Sequence, residues 1–216
     1  MTKKLNLFLD LDQTLISSHP YKDFKKSRLN ETDFGLDFTP MEDDKPTDDP
    51  CFIVFHRPHL QEFLDYAFKH FNVSVWTAAT KSYGLSIIED IILKDKSREL
   101  DYIFFRYHCK LSIDDYKNKN KNVSKKNAKV QEKRLEILWK EFNLDKFNKS
   151  NTFILDDRYD KALVSQPSNC VLADEFDHMN TDVLDDDFLK RMIPKLRKLR
   201  KIGNIDSCIE DGKIIV

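Results

Sequence analysis

The chain of 216 residues carries 36 Lys and Arg against 37 Asp and Glu, a formal net charge of -1, which excludes nucleic-acid binding driven by overall positive charge. Hydrophobic residues at 40% and sixteen phenylalanines exclude a disordered chain and suffice for the buried core of one domain, expected over residues 1–216. Only Gly35, Gly84, Gly203 and Gly212 are present, too scattered for a phosphate-cradling glycine loop. Cys51, Cys109, Cys170 and Cys208 form no C-x-x-C pair, so neither a disulfide scaffold nor a zinc ribbon is expected, and a reducing compartment suits them. No apolar run approaches the roughly 18 residues of a membrane span, and none precedes a cleavage site. The expectation is a soluble intracellular protein, nuclear or cytoplasmic, with no membrane partner.

In chain order, Leu5 to Leu11 (LNLFLDL) is a nearly continuous apolar run without helical spacing and predicts a strand buried on both faces. Residues 17–50 follow, with nine acids, five bases and prolines at 20, 40, 46 and 50, and predict a mobile insertion or flap. Cys51 to Phe55 (CFIVF) predicts the next strand, and Pro58 opens a helix from about His59 to Phe71. Val73 to Trp76 reads as a strand, Ser82 to Leu93 as an amphipathic helix with Ile87, Ile88, Ile91 and Ile92 on its apolar side, and Tyr102 to Phe105 as a strand. A second polar insertion is expected at about 111–127. Residues 117–134 carry eight Lys or Arg and one acid, a solvated loop or a docking surface for an acidic partner. Leu135, Leu138, Trp139 and Phe142 then mark an amphipathic helix.

Thr152 to Leu155 and Val171 to Ala173 read as further strands, Asp187 to Arg200 as a helix, and Ser207 to Ile209 with Ile214 to Val216 as a hairpin around Asp211-Gly212. Alternating strands and helices predict an α/β, Rossmann-like fold: a mainly parallel sheet flanked by helices, a flap after the first strand and no large cap domain. Ligands of such sheets bind beyond the carboxyl ends of the strands.

Asp10 and Asp12 end the first strand, and residues two apart on a strand face the same side. Either of two simpler roles is open to this segment, with Asp12 or Thr14 capping a following helix. A second pair, Asp156-Asp157, follows TFIL at the same edge. Four carboxylates gathered there repel, and a hard divalent cation with oxygen ligands, Mg²⁺ above others, is the economical way to hold them. Thr77 closes another strand and offers a hydroxyl beside backbone N–H groups for phosphate oxygens. A lysine is then wanted, and spacing alone does not choose among those of the basic region.

The string D10-L11-D12-Q13-T14-L15 resembles the D-x-D-x-T-L/V motif of haloacid-dehalogenase-superfamily phosphatases. The branch it resembles acts on the RNA polymerase II C-terminal domain and includes NLI-interacting-factor-like proteins. R57-P58-H59-L60-Q61-E62-F63-L64 resembles its R-P-x-x-x-E-F-L, W76-T77-A78-A79 with Tyr83 its F-T-A-S segment, and K133-R134-L135 to W139 its K-D-L-x-x-x-W. I154-L155-D156-D157 resembles its last acidic motif, and F176-D177-H178-M179 the segment before its last helix. The resemblance runs in order from residue 5 to about 200, outside the two insertions.

It implies an Mg²⁺-dependent phosphatase of phosphoserine or phosphothreonine in a protein, with Asp10 as nucleophile and Asp12 as general acid and base. Thr77 and Lys133 would hold the phosphoryl oxygens, with Ala78 beside them. Asp10, the Asp12 backbone carbonyl and Asp157 would bind the metal near Asp156. Thr14 would steady the nucleophile loop or meet substrate, and Arg57 would shape the site or serve as a structural ion-pair partner. Two departures bear on substrate choice: Arg134 stands where the family has an acid, and residues after Arg106 lack its substrate-contacting loop. A nucleotide or polynucleotide 3′-phosphatase, using the basic segments 117–134 and 190–201, and an inactive binding module are the alternatives. His56 and His59 are expected at the surface and Cys109 in ordinary packing.

Overall fold

Residues 6 to 9 alternate between two apolar environments. In the computed structural model, which describes residues 4–21, 37–41, 52–111, 132–158, 166–179, 182–210 and 213–214, they form β1 (Asn6–Leu9), every residue buried. β1 is the centre of a five-stranded parallel sheet with β5 (Asn72–Trp76) on one side and β7 (Thr152–Asp156) on the other, and β6 (Ile103–Phe104) and β8 (Cys170–Leu172) at the edges. Leu9 lies level with Val75 and with Leu155, so the carboxyl ends of the three central strands coincide.

The period-two alternation sends Leu7 and Leu9, with Val73, Val75, Phe153 and Leu155, into a core shared with Phe63, Leu64, Met192 and Leu196. Those partners lie on α1 (Leu60–His70) and on α4 (Phe188–Ile202). Phe8 faces the other way, toward Trp76, Phe104, Phe147 and Leu138. Its ring lies 5.9 Å from Phe104 and 5.5 Å from Phe147. α2 (Lys81–Ile87) follows β5 and widens into a π-helical turn over Ile88–Ile92, where Leu93 N–H reaches the carbonyl of Ile88 at 2.8 Å. α3 (Glu136–Lys140) is a short helix, and Phe142, expected on its apolar stripe, lies past it and is 37% exposed. α4 stops at Gly203, whose φ of 73° is the left-handed cap position that glycine fills without strain.

Two expectations change. CFIVF was expected to continue the alternating sheet, and residues from 17 onward to be flap. Instead β2 (Ile16–Pro20), β3 (Phe38–Met41) and β4 (Phe52–His56) make a separate antiparallel sheet in the order β2-β4-β3. ISSHP and FTPM carry prolines and no clean alternation, so their strand character comes from pairing with the apolar β4, a non-local effect. Residues 22–36 and 42–50 of the expected flap, Cys51 of the expected strand, and 112–131 with the second insertion, lie outside the described residues. The hairpin forms between β9 (Ile209–Glu210) and β10 (Lys213–Ile214), while Ser207 and Cys208 belong to the 3₁₀ turn before it. Of the two basic stretches, 117–131 lies outside the described residues, and 190–201 is α4, packed on α1.

Phe8 is fully buried within the aromatic cluster. Phe8→Ala is expected to destabilise the fold by about 3–5 kcal/mol, measured as a lowered denaturation midpoint with unchanged m-value.

Candidate active site

The residue after β1 is Asp10, whose N–H donates to Leu155 O at 3.0 Å. The chain then turns tightly: the N–H groups of Leu15 and Ile16 both reach Leu11 O, at 2.8 and 3.1 Å, and Gln13 adopts a φ of 62°. This turn delivers the chain into β2, so no helix follows for Asp12 or Thr14 to cap. Asp156 ends β7, and Asp157 follows it. Parallel pairing of β7 with β1 therefore brings Asp10 and both of these acids to one edge, where an oxygen of each lies within 4.8 Å of the other two.

Lys133 is the cation that the sequence could not select without the family resemblance. It is 4% exposed, and its Nζ lies 2.5 Å from Asp10 Oδ1 and 2.8 Å from Asp156 Oδ2. Gln166 anchors its backbone: Nε2 donates to Lys133 O, and Oε1 accepts from Leu135 N–H at 2.8 Å. Burial by itself would lower the lysine's pKa, but Asp10 and Asp156 more than reverse this and hold it protonated. Burial raises Asp10 well above the usual carboxylate range. Lys133 opposes that rise, while Asp156 and Asp157 reinforce it.

The expected group of four acids is a group of three. Asp12 turns elsewhere, its Oδ1 accepting from the Tyr83 hydroxyl at 2.7 Å. Its pKa is raised by burial, with Tyr83 pulling it down. Asp157 is held by Thr14, which donates to Asp157 Oδ1 and accepts from Asp157 N–H, both at 3.1 Å. Burial and the neighbouring Asp156 raise Asp157. Asp156 accepts from Lys133 with Oδ2 and from Arg158 N–H with Oδ1, so both of its oxygens are engaged inside the protein.

Thr77, fully buried at the end of β5, spends its N–H on Phe104 O at 2.9 Å, and its Oγ1 accepts from Ala79 N–H at 3.0 Å. Its own N–H and that of Ala79 are thus engaged inside the protein, and the hydroxyl proton is what Thr77 itself retains. Ala78 is half-buried beside the aromatic cluster, and its carbonyl takes the Arg106 Nε–H at 2.9 Å. A Cβ on Gly84 would stand 2.9 Å from Phe105 and 3.3 Å from Thr77. The bare glycine is what allows α2 to approach the Thr77 strand end.

Thr14 and Arg57, which the resemblance offers either as substrate contacts or as supports, stand behind the site. Thr14 is fully buried and occupied by Asp157. Arg57, also buried, donates through Nη1 to the carbonyls of Thr14 at 2.9 Å and Asp174 at 2.8 Å, and pairs with Asp186 at 2.8 Å. Phe188 lies 4.3 Å from its guanidinium carbon. Arg57 thus straps the turn after β1 to the segment before α4. His56 is half-buried and bonds Thr39 through Nε2 at 2.8 Å, rather than standing at the surface. His59 faces Glu62 at 3.5 Å. Cys109 is buried and accepts from Trp76 Nε1, its thiol pKa raised by burial. Gln166 and Asp186 escaped sequence reasoning because no local pattern marks them.

An arginine variant of the fission yeast RNA polymerase II CTD phosphatase Fcp1, bound to beryllium fluoride, superposes with a TM-score of 0.51 at 15% identity, over 94% of this chain and 54% of that one. The chain spans about half the length of that structure, and the likeness establishes a shared fold, with the acidic cluster of this chain at the carboxyl edge of the parallel sheet. A family model described as NLI interacting factor-like phosphatase matches residues 5–206, and the chain belongs to that family. It is 42% identical over 167 residues to a CTD phosphatase-like protein of Invertebrate iridescent virus 6, covering 76% of this chain and 82% of that protein. A CTD nuclear envelope phosphatase 1 homolog of Caenorhabditis elegans is 30% identical over 115 residues, 53% of this chain and 44% of that protein. No described helix is long and apolar enough to cross a membrane.

Lys133→Met keeps the length of the side chain and removes the charge between Asp10 and Asp156. We expect it to destabilise the apo protein by about 3–5 kcal/mol near neutral pH. Without the lysine, the folded-state pKa of Asp10 stands further above the unfolded value. The penalty is therefore smallest below about pH 4 and grows as pH rises through the folded values. Denaturant titrations at several pH values check this; a pH-independent penalty would refute it. Arg57→Ala strands Asp186 and two carbonyls, and is expected to cost about 3–5 kcal/mol in the same assay.

Proposed function

We propose that this protein hydrolyses phosphoserine or phosphothreonine monoesters in a protein segment through an aspartyl-phosphate on Asp10. The observation that carries the reading is the Lys133 ammonium 2.5 Å from Asp10, at the strand edge where Asp157 and Thr77 also end. An Asp10 oxygen attacks phosphorus as the bond to the serine or threonine oxygen breaks, and Asp12 gives its proton to that leaving oxygen. Asp12, now ionised, takes a proton from water. The water oxygen then attacks phosphorus, releasing inorganic phosphate and restoring Asp10. Lys133 keeps a positive charge against the phosphoryl oxygens throughout, and the Thr77 hydroxyl donates to one of them.

The donor set, carboxylate oxygens with no nitrogen or sulfur, fits a hard cation. The Asp10 and Asp157 carboxylates and the Asp12 backbone carbonyl are the groups we assign to Mg²⁺, with Asp156 serving Lys133 instead. When bound, the ion supplies positive charge against the nucleophile and the transferring phosphoryl group. The protein substrate is supported by relatives named CTD phosphatase-like or CTD nuclear envelope phosphatase, and a phosphorylated segment like the RNA polymerase II C-terminal domain is the substrate class we assign.

The test is turnover of phosphoserine peptides by purified protein with Mg²⁺, beside Asp10→Asn and a chelator-treated sample. Activity is expected to fall by at least about 10³-fold in both controls. A strong preference for small metabolite phosphates over phosphopeptides would defeat the protein-substrate assignment.

A further inference from the structure

Asp12 stands apart from the Lys133 cluster, and what holds it there is a single phenol. Its Oδ1 accepts from Tyr83 at 2.7 Å. Tyr83 is itself fixed by the antiparallel sheet: its ring meets that of Phe52 on β4 edge-on, with centroids 5.5 Å apart. Tyr83 lies in the first turn of α2, next to Gly84, whose missing Cβ lets the helix approach Thr77. A carboxyl in a turn samples several rotamers unless something ties it. One bond to Oδ1 selects the rotamer and leaves the second oxygen for proton transfer.

On the basis of the phosphatase reading above, we infer that Tyr83 is a positioning residue. It acts through Asp12, holding that carboxyl where it delivers a proton to the leaving oxygen, and it makes this placement depend on the β2-β4 sheet. Among the described residues Tyr83 makes its hydrogen bond to Asp12 and none to Asp10, Lys133, Asp156 or Asp157. Its effect therefore scales with how much the leaving group needs a proton.

The experiment varies that need. A phosphoseryl peptide expels an alkoxide, which must be protonated as it leaves, whereas 4-nitrophenyl phosphate expels a stable phenolate. The parameter kcat/KM ends at transfer to Asp10, so the later hydrolysis common to both substrates does not enter it. Tyr83→Phe keeps the ring against Phe52 and removes the hydroxyl. We expect it to lower kcat/KM for the peptide by roughly 10- to 100-fold, and for the nitrophenyl ester by a factor about tenfold smaller. Asp12→Asn is expected to show the same selectivity with a larger loss. Thermal denaturation of each variant accompanies the kinetics.

Equal losses on both substrates would overturn the inference and leave Tyr83 a structural residue. If the wild-type protein turned over neither substrate above the Asp10→Asn background, the phosphatase reading itself would fail and the role of Tyr83 with it. Turnover of both by wild type, with Tyr83→Phe indifferent to the leaving group, fails the inference alone.

Discussion

The buried ammonium of Lys133 is the charge around which the acidic edge of the sheet is organised. A carboxylate taken out of water costs several kcal/mol, and three together cost more because they repel. Asp10 and Asp156 share one cation at 2.5 and 2.8 Å, which offsets part of both costs and fixes the two side chains against one another. Gln166 helps hold the lysine there, bonding the carbonyl of Lys133 and the N–H of Leu135 through its two amide atoms. The anchoring of a residue that follows an insertion of the chain is therefore part of the site's electrostatics.

A second set of contacts places the turn between β1 and β2. From behind, Arg57 draws Thr14 O, Asp174 O and Asp186 together, with Phe176 and Phe188 against its guanidinium. From the flank, Thr14 and Asp157 exchange hydrogen bonds. From the other flank, Tyr83 takes Asp12. The turn has almost no regular structure of its own, and its shape is imposed by three elements distant in sequence. Asp10 and Asp12, with only Leu11 between them, are thereby turned to different partners. One carboxyl is turned to the lysine, the other to the phenol.

Much of the sheet was legible locally. LNLFLDL, VSVWT and TFIL are short apolar runs ending in polar residues, and buried parallel strands leave that trace because both faces are covered. The helix of residues 60–70 was legible from Pro58 before it, and the last helix, expected over 187–200, runs over 188–202. The second sheet was not. ISSHP and FTPM carry no alternation and become strands only against β4, so their structure is a property of pairing rather than of composition. Arg57 and Thr14 were placed in the site from their motifs. Nothing in a motif distinguishes a residue that touches a ligand from one that holds the residue touching it.

The sequence by itself determined the alternation that makes a parallel α/β sheet, and therefore which strand ends carry Asp10, Thr77, Asp156 and Asp157, because hydrophobic periodicity and chain order are local quantities. Tertiary structure alone decided the pairings: Lys133 with Asp10 and Asp156, Thr14 with Asp157, Arg57 with Asp186, Tyr83 with Asp12. These contacts join residues 23 to 143 positions apart. Their partners are selected by which side chains the packed layers bring within hydrogen-bonding distance, which no stretch of sequence contains.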